Sequence, residues 1–217
     1  IVLSHDVKLA SGTAIKNAAG TALLGEDGAL GSGVTGQGWQ YLATATGGSG
    51  VAAISFDGFF TSEYEHYKCL FHSMTPTVNN KTMVLRMRQS NADVTSAANI
   101  RYVVRQLQTN SVAGGRESDA GDTHAIFGPT DNSSNTDYPS AGEFTFHNPN
   151  GATGVKIIHG TSIGYNSNNP PTVHRFCDNY MQFFGNFNAC SGFSIMYNTD
   201  SSSNILGTFH LYGMKNA

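Results

Sequence analysis

Charge is what this chain has least of. Only 12% of its 217 residues are Asp, Glu, Lys or Arg, about half the usual share for a soluble protein. Twelve basic residues stand against fifteen acidic ones, a net charge of -3. No basic stripe is present to neutralise phosphates, so no nucleic-acid partner is expected. Long apolar runs are missing as well: nothing approaches the roughly 20 residues of a membrane helix, and no membrane partner is expected. Cysteine is scarce. Cys69, Cys177 and Cys190 are an odd number without a CxxC pair, which argues against a disulfide framework or a zinc knuckle and for buried, reduced thiols made in a cytoplasm. The opening Ile1-Val-Leu-Ser-His lacks the basic region and apolar core of a signal peptide. Its first residue is not Met, which we read as processing or trimming.

Catalytic signatures are also lacking. The chain has no GxSxG, no phosphate-binding glycine loop and no Cys/His pair near a nucleophile turn. Asp119, Asp122, Asp131, Asp137 and Glu143 crowd one region, but loops attract Asp for turn chemistry alone, and this spacing orients no glycosidase pair. Asp119-Ala-Gly-Asp122 and Asp131-Asn132 fall short of the dense alternating ligands of a calcium loop. His66 and His72 are expected on one strand face, and His124, His147 and His159 within reach of one another across strands. Without HxH or HExxH spacing they read as ordinary strand or surface histidines. No catalytic residue, metal or cofactor is predicted.

What the chain does have is Gly, Ser, Thr and Asn in long stretches, and two regions of different character. Residues 1–37 contain Ile15-Lys-Asn-Ala-Ala-Gly-Thr-Ala-Leu-Leu24 and Gly31-Ser-Gly-Val-Thr-Gly-Gln-Gly38 follows close behind. Apolar residues are too sparse there for a core, and glycine disfavours helix. The segment reads either as a flexible linker or as an arm of short strands laid along another subunit. In the second case Ala14, Ile15, Leu23 and Leu24 would add to a partner's sheet.

Residues 38–217 carry period-2 alternation in segments separated by polar loops, predicting about ten strands, no long amphipathic helix and an antiparallel β-sandwich of jelly-roll type. Trp39–Thr46 and Val51–Phe56 around Gly47-Gly-Ser-Gly50 predict a hairpin, with Trp39 a core anchor at its start or a sugar-stacking platform. Lys81–Arg88 places Met83, Leu85 and Met87 on one face and Val84, Arg86 and Arg88 on a solvated one. Asn99–Thr109 fits helix or strand, and its β-branched and aromatic content favours strand. Ser111–Asp122 and Gly128–Gly142 read as loops, Glu143–His147 and Val155–His159 as strands. Phe193–Tyr197 and Ile205–Met214 predict a second hairpin whose last strand lies inside a sheet. Tyr180–Asn188, aromatic on both faces, predicts a strand either buried on both or pressed against a neighbouring copy, in the second case through Tyr180 and Phe184.

The run from Trp39 to Tyr212 resembles jelly-roll virion structural proteins of tailed bacteriophages from aquatic bacteria, which form capsid decorations, fibres or tail appendages. Carrying the resemblance are the Trp39 strand, Tyr64-Glu-His-Tyr-Lys-Cys-Leu-Phe-His-Ser-Met-Thr-Pro76, Gly142-Glu-Phe-Thr-Phe-His-Asn-Pro149 and Ile205-Leu-Gly-Thr-Phe-His-Leu-Tyr-Gly213. Residues 15–24 look like the short repeats by which phage fibres attach. The resemblance implies a non-enzymatic protein of the virion, made in the host cytoplasm, whose arm docks on other virion proteins and whose β domain faces outward. It also implies a homo-oligomer, and analogy with fibres favours a trimer. The alternative expectation is a carbohydrate-binding module or host-receptor-binding domain, with Tyr138, Tyr165 and Tyr180 stacking on a host surface glycan. A polysaccharide hydrolase would instead need two carboxyls about 5 to 10 Å apart.

Overall fold

The computed structural model describes residues 15–16, 22–24, 38–95, 100–109, 115–128, 132–165, 174–184, 188–198 and 202–215. These form fifteen strands, with no helix among the described residues. The chain divides into two units, Ile1–Gly38 with Ala217, and Trp39–Asn216. In the first, β1 (Ile15–Lys16) pairs antiparallel with β2 (Ala22–Leu24), Ile15 opposite Leu24. Ala14 lies outside the described residues.

The second unit is an antiparallel β-sandwich. Its strands are β3 (Trp39–Thr46), β4 (Ala53–Asp57), β5 (Tyr64–Pro76), β6 (Met83–Gln89), β7 (Ala92–Asp93), β8 (Ile100–Gln108), β9 (Gly115–Asp122) and β10 (Ala125–Ile126). They continue with β11 (Ser140–His147), β12 (Lys156–Tyr165), β13 (His174–Phe183), β14 (Gly192–Tyr197) and β15 (Ile205–Lys215). The larger sheet runs β3-β15-β5-β11-β12-β13-β8-β9; the smaller runs β10-β6-β14-β4, with β7 beside β6. Alternation selects the inward faces. Tyr67, Cys69 and Phe71 of β5 and Phe144 and Phe146 of β11 face Met83, Leu85 and Met87 of β6 and Phe193, Ile195 and Tyr197 of β14 across one core. Rings from the two sheets meet directly: Phe146 on Phe193 at 4.6 Å and Phe144 on Phe193 at 5.9 Å between centres.

Neither predicted hairpin exists. β3 lies in the larger sheet and β4 in the smaller, and β14 and β15 are likewise in opposite sheets. At the first crossing the chain leaves the larger sheet at Gly47, whose amide donates to the Gly207 carbonyl, and the Ile205 amide donates to the Val51 carbonyl. A side chain on Gly47 would meet the Ile205 carbonyl oxygen at 2.1 Å, so glycine permits the close approach that switches sheets. β15 does sit inside its sheet, between β3 and β5. β14 is buried at every position, between β6 and β4, whereas the outward residues of β4 itself, Ala53, Ser55 and Asp57, are exposed.

The outer side of the smaller sheet differs at Arg86 and Arg88 from the solvated face expected for them. Arg88 donates to the carboxylates of Asp57 on β4 and Asp93 on β7, and Arg86 Nη1 lies 3.8 Å from Asp93 Oδ2. Asp93 Oδ1 also accepts from Ser194 Oγ at 2.7 Å. One carboxylate thereby ties together three strands, which charge-poor packing needs if guanidinium groups are to be half-buried. Part of the predicted loop at residues 111–122 is the strand β9, paired with β8; its polar, Gly-containing sequence carries no alternation to reveal it. Asn99–Thr109 is a strand, as its β-branched content indicates. The three cysteines are buried free thiols. Burial pushes Cys177 and Cys190 up to about 12 and Cys69 well above its ordinary range.

Candidate binding face

Most of the exposed large apolar surface lies on one side of the molecule. Of nine exposed large apolar side chains among the described residues, seven project from the outer face of the eight-stranded sheet. Two of these, Trp39 and Tyr41, are on β3; the others are Ile157 and Ile163 on β12, Phe176 and Tyr180 on β13 and Val103 on β8. β12 shows how the sequence produces this. Its inward positions include Gly160, Ser162 and Gly164 while its outward positions include Ile157 and Ile163. A side chain at Gly160 would come within 2.7 Å of the Phe144 backbone and 2.1 Å of the Glu143 carbonyl oxygen, so the inward face of β12 past Ile158 has room only for small residues. A strand whose small residues alternate with branched ones was the available signal, and it is ambiguous about which set faces in.

Trp39 is 38% exposed and so is not a core anchor; the Lys68 ammonium lies 5.3 Å from its ring centre. Beside it Tyr41 packs edge-on against Tyr212 at 5.9 Å. Toward the other end of the sheet, Tyr165 is brought within 5.7 Å of Tyr138 and 5.0 Å of the His174 ring. Tyr165 and His174 line a shallow groove of about 370 Å³ together with Leu107, Ile163, Arg175 and Phe176, and Tyr138 is not part of its lining. Tyr180 is not part of it. It stands opposite His159 across the β12–β13 pair and is 57% exposed. Phe184 follows the end of β13, half-buried, with the Arg101 guanidinium 5.3 Å from its ring centre. The predicted strand thus stops at Phe183, and Phe187 lies outside the described residues.

A band of histidines crosses the middle of the same face. His66 and His147 are direct partners on β5 and β11, their rings 5.1 Å apart. His147 Nε2 is 2.9 Å from His159 Nδ1. Burial pushes the His147 imidazole below the ordinary value of 6.5, and the neighbouring His159 and His66 push in the same direction. Nearer the β3 edge, His72 and His210 approach to 3.4 Å between Nε2 atoms. His124 joins neither group: it bonds locally to Thr123 on the approach to β10, in the smaller sheet. Among the described residues no group of three or more His, Cys, Asp or Glu is arranged to hold a metal ion.

No protein-family model, curated protein or solved structure matches the chain.

Of the five acidic residues Asp119, Asp122, Asp131, Asp137 and Glu143, the side chains of two are described, and they lie on different elements. Glu143 lies on the outer face and pairs with the Lys68 ammonium at 3.4 Å. Asp137 sits in the loop before β11, its amide bonded to the Asn135 side chain. The side chains of Asp119, Asp122 and Asp131 lie outside the described residues. A second depression of about 430 Å³, lined by Thr61, Ser62, Tyr64, Glu65, Asn148, Asn150 and Gly151, is polar and holds one carboxylate. The outer face of the larger sheet, with exposed apolar side chains at both ends and histidines between, is therefore the candidate contact surface.

Proposed function

We propose that this chain is a non-enzymatic structural protein of a bacteriophage virion, a jelly-roll display domain that works through the outer face of its eight-stranded sheet. The supporting observation is the seven exposed large apolar side chains on that one face. Eight strands at about 4.8 Å spacing give a face on the order of 1,000 Å², comparable with the roughly 800 Å² per partner of a stable interface. Aromatic residues lie at both ends of it, and so many exposed apolar side chains on one face mark a contact surface. Contact with further copies in a closed ring, most simply a trimer, would cover it. The arm, with Ile15, Leu23 and Leu24, would dock on other virion proteins.

Tyr180→Asp tests the face better than a change at Phe184, which its own chain already engages through Arg101. The unmodified protein should sediment as an oligomer at micromolar concentration, and Tyr180→Asp should release monomers with unchanged β-structure. A monomeric parent protein would remove the self-association. The protein with residues 1–37 deleted should fold but fail to incorporate into particles; normal incorporation would remove the docking role.

The groove lined by Tyr165 and His174, with Tyr138 packed against Tyr165, favours a second reading, a module that stacks host surface glycan. Binding on a glycan array that Tyr165→Ala abolishes, with the oligomer intact, would favour it over the first.

A further inference from the structure

We propose that His72 and His210 form a surface site for a borderline divalent transition metal ion such as Zn²⁺, Ni²⁺ or Cu²⁺. The two residues are on adjacent strands, β5 and β15. Thr208 is the direct partner of His72 and Leu70 that of His210, which makes the two histidines diagonal neighbours on the outer face. Diagonal neighbours are within reach of long side chains. Their ring centres are 5.5 Å apart and their Nε2 atoms 3.4 Å, so the rings meet nitrogen to nitrogen.

The opposite nitrogens are both engaged. His210 Nδ1 lies 2.7 Å from Thr44 Oγ1 and His72 Nδ1 lies 3.1 Å from Ser73 Oγ. In the tautomers in which both Nδ1–H groups donate to those hydroxyls, both Nε2 atoms hold lone pairs directed at one another. Two facing lone pairs repel until a cation enters between them. A ring held through one nitrogen by an oxygen acceptor, with the other nitrogen free to ligate, is the usual setting of a metal-bound histidine. The spacing fits too: nitrogens bound at about 2.0–2.1 Å to a tetrahedral ion stand roughly 3.4 Å apart. A small turn of each ring aims both lone pairs at one ion. Imidazole nitrogen selects Zn²⁺, Ni²⁺ and Cu²⁺ over Ca²⁺ or Mg²⁺. Two protein ligands leave the ion's other positions to water or to an incoming ligand.

The His147–His159 pair supplies the contrast. Its Nε2 and Nδ1 atoms are 2.9 Å apart, an ordinary hydrogen-bond distance and shorter than the roughly 3.4 Å span of two ligands on a tetrahedral ion.

The test is titration of the untagged full chain with Zn²⁺ and separately Ni²⁺ by calorimetry at pH 7.5. We expect saturable binding of one ion per chain that weakens at least tenfold in His72→Ala and in His210→Ala and is unchanged in His147→Ala. With Cu²⁺, electron paramagnetic resonance should show coupling to two nitrogens. Absence of binding in the parent protein would overturn the site, since the pair would then be a hydrogen bond alone. Loss in His147→Ala with retention in His72→Ala would overturn the assignment to this pair. Thermal melts of each variant separate loss of ligands from loss of fold. Neither result bears on whether Tyr180 lies in an oligomer interface.

Discussion

Phe146 of β11 and Phe193 of β14, one from each sheet, pack with ring centres 4.6 Å apart. Phe193 also touches Phe56, Phe60 and Phe144, so it is the ring around which the two sheets close. Phe193→Ala should cost about 3–5 kcal/mol, the range for emptying a large aromatic site that cannot collapse. Phe146→Ala should cost a similar amount. The double variant should lose less than the sum, because the pair's own contact is removed only once. Urea denaturation of the four proteins checks this, and strict additivity would show that the two rings do not couple.

Gly192 opens β14 where it pairs with both β4 and β6. A side chain there would meet the Phe56 carbonyl oxygen at 1.8 Å. Gly192→Ala must therefore push β4 away, and a loss of about 3 kcal/mol is expected from overpacking against backbone. At Gly48, in the crossing between β3 and β4, an added side chain meets nothing within 4 Å. Gly48→Ala should be near neutral or slightly stabilising, through the unfolded chain. Equal melting temperatures for the two variants would contradict the packing seen at Gly192.

His147 makes stability depend on pH. Its imidazole is held below the ordinary value of 6.5 by burial and by His159 and His66. As pH falls through 6.5 the unfolded chain takes up a proton on this residue before the folded protein does, so stability declines from there downward and is unaffected above. Replacing His147 with Gln should flatten that part of the profile. The measurement is the urea midpoint between pH 8 and 5. A slope unchanged in the variant would assign the dependence to other groups.

The strands were legible because their signal is local. Met83, Leu85 and Met87, or Phe144 and Phe146, announce a buried face every second residue whichever strand lies beside them. Sheet membership was not legible. Trp39–Thr46 and Ala53–Asp57 have the spacing of a hairpin yet lie in opposite sheets, since alternation says which side faces a core and not which neighbour supplies the hydrogen bonds. β9 escaped notice for the converse reason, being a strand with no apolar face in its sequence.

The sequence by itself determined an all-β sandwich of low charge, buried thiols and a compositionally distinct arm, because composition and period-2 burial are properties of short segments. Only the tertiary structure decided that Trp39 lies outside rather than in the core and that the outward residues of β12, β13 and β8 merge into one apolar face. It alone brought Tyr138 to Tyr165 while leaving Tyr180 apart. His72 and His210 are 138 positions apart in the chain. Their meeting depends on β15 inserting between β3 and β5, a pairing whose partners lie far apart in the sequence and which no local pattern encodes.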